Sequence, residues 1–179
     1  VKVCMEYLHE IKLLSKAMDL GVFAPARAEA HRGLSSVQLQ ALRFIGNHEN
    51  VLQRRLAQGL QISSPAVSKL IHRLLERGWI QKRRHAQDGR HWIVSLSEAG
   101  AALCKTVDQR EQAVFEKVFS DLSPEERAAL RSGIQGLLHQ LKPYVDKSRL
   151  CLECGGSREH HCLLEVWNQP GRESCSIRH

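Results

Sequence analysis

Apolar residues recur at intervals of three and four along most of this chain, and the spacing switches to alternation in one place only. From Val3 to Leu20 the residues Tyr7, Leu8, Ile11, Leu14 and Met18 keep helical spacing, and Gly21 supplies a stop signal. The stretch GVFAPARAEAHRG then reads as a loop. Ser35 or Ser36 caps a second helix carrying Val37, Leu39, Leu42 and Ile45, and a short helix holding Leu52, Leu56 and Ala57 ends near Gly59. Leu60 and Ile62 plug the turn that follows.

The next helix is expected from about Pro65 to Arg77. Ser64 is its expected N-cap, and Pro65 at the first helical position loses no hydrogen bond, because that N–H would be unpaired anyway. Gly78 closes the other end. Val67, Leu70, Ile71 and Leu74 form an inner stripe, whereas Ala66, Ser68, Lys69, His72, Arg73 and Glu76 lie outside. Alternation follows in WIQKRR and HWIVSL, which are joined by HAQDG, and Asp-Gly is a strong hairpin signal. Trp92, Val94 and Leu96 share one strand face. Ser97 then caps a long helix through about Phe119, with Leu103, Val107, Val114, Phe115 and Val118 as its apolar positions. Ser123, Pro124 and Glu126 form a capping box that opens a last helix bearing Leu130, Ile134, Leu137, Leu138 and Leu141, ended near Pro143.

Helix, turn, helix and hairpin in that order predict a mainly α fold with a small β wing: a winged helix-turn-helix with terminal dimerisation helices. Residues 1–142 make that domain, and 143–179 a cysteine-rich tail. The terminal helices carry more apolar surface than so small a winged core can cover. A two-fold partner is the expected cover, with an intramolecular helical hairpin as the alternative.

Charge sharpens the picture. Nine Lys or Arg face three acids between Val51 and Gly100, leaving +6 there, while the other 129 residues carry 17 against 16. Nearly the whole net charge of +7 lies in one block. A field so focused suits a polyanion such as nucleic acid better than an anionic membrane surface. No apolar run reaches the roughly 18 residues that span a bilayer, and VKVCMEYLHEIKLL interleaves charges where a signal peptide keeps an apolar stretch. The expected location is the cytoplasm, with no membrane partner.

The residues LAQGLQISSPAVSKLIHRLLERGWI, followed by DGR and then VSLSEAG at these separations, resemble the MarR family of bacterial transcription regulators over roughly residues 1–142. The resemblance implies a triangular homodimer whose first and last two helices interlock, with a recognition helix in each major groove and a wing in each flanking minor groove. It also implies a small-molecule effector cleft between the dimerisation helices and the winged core. The chain departs from the family pattern at His85, where an aspartate commonly stands three positions before the wing aspartate, and in the tail beyond Pro143.

On that reading Lys69 and Arg73, one helical turn apart, reach guanine acceptors in the major groove, with Ser68 and His72 as neighbours. Lys69 or His72 alternatively faces solvent without touching a base. Ser64, Pro65 and Ala66 sit at the helix start, where the hydroxyl of Ser64 and free N–H groups suit a phosphate. Lys82, Arg83 and Arg84 neutralise phosphates from the wing strand. Arg90 at the wing tip enters a narrow minor groove, and Asp88 buttresses the turn, its first role being that of a turn residue. Arg54 and Arg55 are phosphate clamps or plain surface.

The tail, CLECGGSREHHCLLEVWNQPGRESC, places Cys151, Cys154, Cys162 and Cys175 within one short segment. CxxC followed by glycine converges two thiolates on one ion. Cys162 and Cys175 are less regular, and His160, His161 or His179 can replace one of them. Zinc is the expected ion, with an iron–sulfur cluster as the alternative and free redox thiols as a third. Four Arg face four Glu from Ser148 onward, which gives the tail little claim to nucleic acid of its own. Cys4 and Cys104, on predicted helices, are either thiol switches or small buried side chains, and the second is preferred.

The expected function is therefore a sequence-specific, double-stranded DNA-binding regulator, a dimeric repressor relieved by a ligand, metal or oxidant. The alternative is a metal-binding protein–protein interaction module on a winged-helix scaffold. A hydrolase is not expected, because the chain shows no Ser-His-Asp arrangement and no HExxH spacing, and four thiolates close a zinc shell against water.

Overall fold

The computed structural model describes residues 2–48, 51–84 and 92–145. In chain order its elements are α1 (Lys2–Met18), α2 (Ala24–Ala30), α3 (Ser36–Asn47), β1 (Val51–Leu52), α4 (Gln53–Leu60), α5 (Ser64–Glu76), β2 (Ile80–Arg84), β3 (Trp92–Leu96), α6 (Glu98–Ser120) and α7 (Pro124–Leu141). The fold is mainly helical with one antiparallel sheet in the order β1-β3-β2. Its register pairs Ile80 with Leu96, Lys82 with Val94, Arg84 with Trp92, and Val51 with Val94.

The expected loop after Gly21 is helical instead. Asp19–Phe23 forms a π turn in which the Ala24 N–H reaches back to the Asp19 carbonyl, and α2 follows without a break. Pro25 explains the wide turn. It has no N–H to give the carbonyl four residues back, so the chain absorbs it in the first turn of α2. Gly21 therefore does not end the helical run.

α3 begins with the capping box of Ser35 and Gln38, whose backbone N–H groups each bond the other's side chain at 3.0 and 3.2 Å. Gln38 is buried by this role, and Val37 beside it is exposed, contrary to its expected core position. Leu52 ends β1 ahead of the short helix that was expected to hold it. That helix passes through Gly59 and closes at Gln61, which adopts φ 51° as its left-handed cap. A glycine there is the usual solution; here glutamine carries the strain.

The core gathers Leu39, Leu42, Phe44 and Ile45 of α3, Leu56 of α4 and Val67, Leu70, Ile71 and Leu74 of α5. Val51, Ile80 and Val94 close it from the sheet, and Leu103 and Val107 from α6. Ile62 packs against it from the turn, as its position predicts, and Leu60 does so from the last position of α4 instead of from the turn. Beyond Val107 the picture reverses. Val118 and Phe119 of α6 are exposed, α7 has no buried residue, and Tyr7, Leu8, Ile11 and Leu14 of α1 are exposed as well. Both long helices start as the sequence predicts, with Ser97 accepting from Gly100 N–H at 3.0 Å and Ser123 sharing a capping box with Glu126.

Candidate nucleic-acid interface

α5 starts one residue earlier than expected. Ser63, not Ser64, is the N-cap, and its hydroxyl accepts from the Ala66 N–H at 3.4 Å. Two serines precede Pro65, and either register leaves the proline in the first turn, where its missing N–H costs nothing. The shift places Ser64 inside the helix, where its carbonyl accepts from the Ser68 hydroxyl at 3.0 Å. Its own hydroxyl is then not consumed by capping.

The face separation holds. Val67, Leu70, Ile71 and Leu74 are buried, whereas Ser64, Pro65, Ser68, Lys69, His72 and Arg73 are exposed and Ala66 is half-buried. Ser68 is fixed more firmly than its sequence position suggests. Gln53, at the start of α4, donates to its hydroxyl at 2.6 Å, tying the outer face of α5 to the preceding helix. No local pattern marks Gln53, because the contact spans the turn between two helices. On the next turn His72 Nδ1 lies 3.3 Å from Glu76, an i,i+4 pair in solvent.

The strand cations divide by face. Lys82 and Arg84 stand opposite Val94 and Trp92, while Arg83 stands opposite Ile93 on the other side of the sheet. Trp92 does not join the core as its alternation with Val94 and Leu96 suggests; it lies past the core's edge, 39% exposed. Lys82 Nζ sits 4.4 Å from its ring centroid and Arg84 Cζ 5.3 Å. The cluster of basic residues immediately before the Asp-Gly turn was the available signal that this tryptophan had cationic company.

Asp88 and Arg90 lie outside the described residues, as does His85. So do Cys151, Cys154, Cys162 and Cys175, with His160, His161 and His179. Among the described residues no three metal-ligating side chains converge, and no helix is long and apolar enough to cross a membrane. Cys104 is buried on α6, and burial, with Asp108 close by, pushes its thiol up to about 11 despite the opposing charge of Arg43.

A family model described as the MarR family matches residues 32–91, the stretch that contains α3, the helix-turn-helix and β2, and that ends just before β3. The chain is also 30% identical over 129 residues to an uncharacterised HTH-type transcriptional regulator of Mycobacterium bovis, covering 70% of this chain and 90% of that protein. The chain belongs to the MarR family. It is, at that level, a DNA-binding transcription regulator.

Solved MarR-like folds agree in architecture. MepR of Staphylococcus aureus, a transcription regulator of the multidrug efflux pump MepA, superposes with a TM-score of 0.67 at 21% identity, covering 75% of this chain and 98% of its own. FabT of Streptococcus pneumoniae, in complex with DNA, superposes with a TM-score of 0.64 at 21% identity, covering 80% and 99%.

Proposed function

We propose that this MarR-family chain works as a dimeric repressor: two copies of α5 occupy successive major grooves of duplex DNA, and the two wings flank them. The exposed polar and cationic face of α5, rigidly backed by four buried apolar residues, is the observation that carries the reading. Lys69 and Arg73 reach base edges from it, and Ser64 with the helix start takes a phosphate. Arg90 enters the minor groove and Asp88 supports the tip. The uncovered apolar residues of α1, α6 and α7 support a two-fold partner, since exposed apolar surface on this scale marks an interface.

Relief of repression follows from a ligand, metal or oxidant that lowers occupancy of the DNA. The donor chemistry of the tail fits structural zinc, held by Cys151, Cys154, Cys162 and Cys175 with His161 as a substitute ligand; an iron–sulfur cluster is the alternative occupant. Bound zinc would supply folding energy to a short segment.

Electrophoretic or anisotropy titration of duplex DNA over a salt series tests the DNA reading. Affinity that falls steeply with salt supports it, and salt-independent association with protein alone favours an interaction module instead. Metal analysis with an absorption spectrum of anaerobically purified protein tests the tail: colourless protein with one zinc per chain retires the cluster, and a brown protein retires zinc.

A further inference from the structure

The hairpin face that bears Ile80, Val94 and Val51 is the face against which the helices pack, and α5 lies directly on β2 there. Strand alternation carries the same face outward past the core, through Lys82, Arg84 and Trp92. The helical cover ends but the side of the sheet does not change. Three exposed groups thus stand on the side of the wing where α5 lies: a flat indole with a lysine ammonium 4.4 Å from its centroid and an arginine guanidinium 5.3 Å from it. Both distances are within the range at which the ring quadrupole attracts a cation.

An exposed tryptophan on a hydrated hairpin costs solvation unless a partner covers it. Its two cations select the partner. An aromatic plane beside two positive charges matches an apolar deoxyribose between two phosphates, and the duplex backbone must cross between a groove-bound helix and a wing. We propose that Trp92, Lys82 and Arg84 form a seat for one stretch of the sugar–phosphate backbone of duplex DNA, with Arg83 outside it. The proposal rests on the DNA-binding reading above and adds to it a binding residue, Trp92, and a division of labour among three adjacent cations. Trp92 acts partly on the sugar and partly by holding the two cations toward the phosphates.

Anisotropy titration of a mixed-sequence duplex long enough for two half-sites, over a salt series, tests the seat. Trp92→Ala weakens binding about five- to tenfold, a loss in keeping with two cation–aromatic contacts, and does so alike on operator and unrelated duplex. Trp92→Phe restores most of it. In a Lys82→Ala/Arg84→Ala background the same Trp92→Ala change costs less than about twofold. Arg83→Ala costs less than Lys82→Ala. Protein labelled with 5-fluorotryptophan gives a readout independent of folding defects: the 19F resonance that vanishes in Trp92→Phe shifts when duplex is added. Wild-type binding with an unmoved Trp92 signal, or an undiminished Trp92→Ala loss when both cations are absent, overturns the seat and leaves the DNA reading standing. Failure of the wild-type chain to bind duplex at low ionic strength overturns both.

Discussion

The Ser97 hydroxyl donates a 2.6 Å hydrogen bond to the carbonyl of Gly78, joining the N-cap of α6 to the residue that turns the chain out of α5. The same hydroxyl accepts from the Gly100 N–H at 3.0 Å, and the Ser97 N–H donates to the Trp79 carbonyl at 3.1 Å. α5 and α6 therefore meet at a point with no slack. A Cβ on residue 100 would lie 1.9 Å from the Trp79 carbonyl oxygen, so only glycine fits. Gly100→Ala should destabilise the fold by about 3 kcal/mol and Ser97→Ala by about 1 kcal/mol, read from denaturant midpoints. An alanine variant at 100 that unfolds with the parent would refute the close approach.

Arg43 links α3 to α6 through Asp108 at 2.5 Å and Glu111 at 2.8 Å, and its side chain is only 18% exposed. Removing the cation strands Glu111, itself 14% exposed, without a counter-charge, whereas Asp108 at 52% can turn to water. Arg43→Ala is therefore expected to cost about 3 kcal/mol, Asp108→Asn under about 1 kcal/mol, and Arg43→Met with Glu111→Leu much less than Arg43→Ala alone. Equal losses in the two single variants, measured by thermal melting, would contradict this ranking.

Cys104 gives a pH signature. Burial first, and then Asp108, raises its thiol from 9.0 to about 11, so between those values the unfolded chain ionises this group and the folded chain does not. Stability contributed by the neutral thiol is complete below pH 9 and is lost as pH rises toward 11, by on the order of 2 kcal/mol. Cys104→Ala should flatten that part of the stability profile. In the folded protein the thiol should also react slowly with a disulfide reagent at pH 8, as a buried side chain does rather than a switch. Rapid labelling of Cys104 in folded protein would refute its burial.

Ile134, 47% exposed in the middle of α7, tests the two-fold partner. Ile134→Asp should convert the assembly to monomers in sedimentation equilibrium while leaving the winged core folded, because no buried residue of that core lies on α7. Duplex affinity should fall with it, since two linked half-site contacts become one. A monomeric wild-type chain would contradict the proposed assembly.

The helix-turn-helix was legible because its signals are local. Apolar spacing marked Val67, Leu70, Ile71 and Leu74, and each is buried. The capping serines at 97 and 123 were equally readable, since a cap is settled within four residues, and Ser35 is one of the two adjacent serines the sequence offers for α3. Errors arose where two local signals competed or where the deciding contact was distant. Ser63 and Ser64 offer the same chemistry at adjacent positions, and only the backbone register chooses between them. Pro25 and Gly21 argue for a loop, yet a π turn absorbs the proline and the helix continues. The two-residue strand Val51–Leu52 exists only through pairing with β3, which no periodicity reveals. Trp92 keeps its predicted face but lies past the helices that would cover it, and Gln53 finds Ser68 across a turn.

Titration of the full-length protein with double-stranded operator-length DNA at low ionic strength tests the central claim most directly. Two protomers should bind each duplex, with an affinity that declines linearly on logarithmic axes as salt is raised; Arg90→Ala should lower that slope by about one, and Arg73→Ala should relax preference at one or two base positions. A chain that leaves such duplexes unbound at low salt would contradict the account.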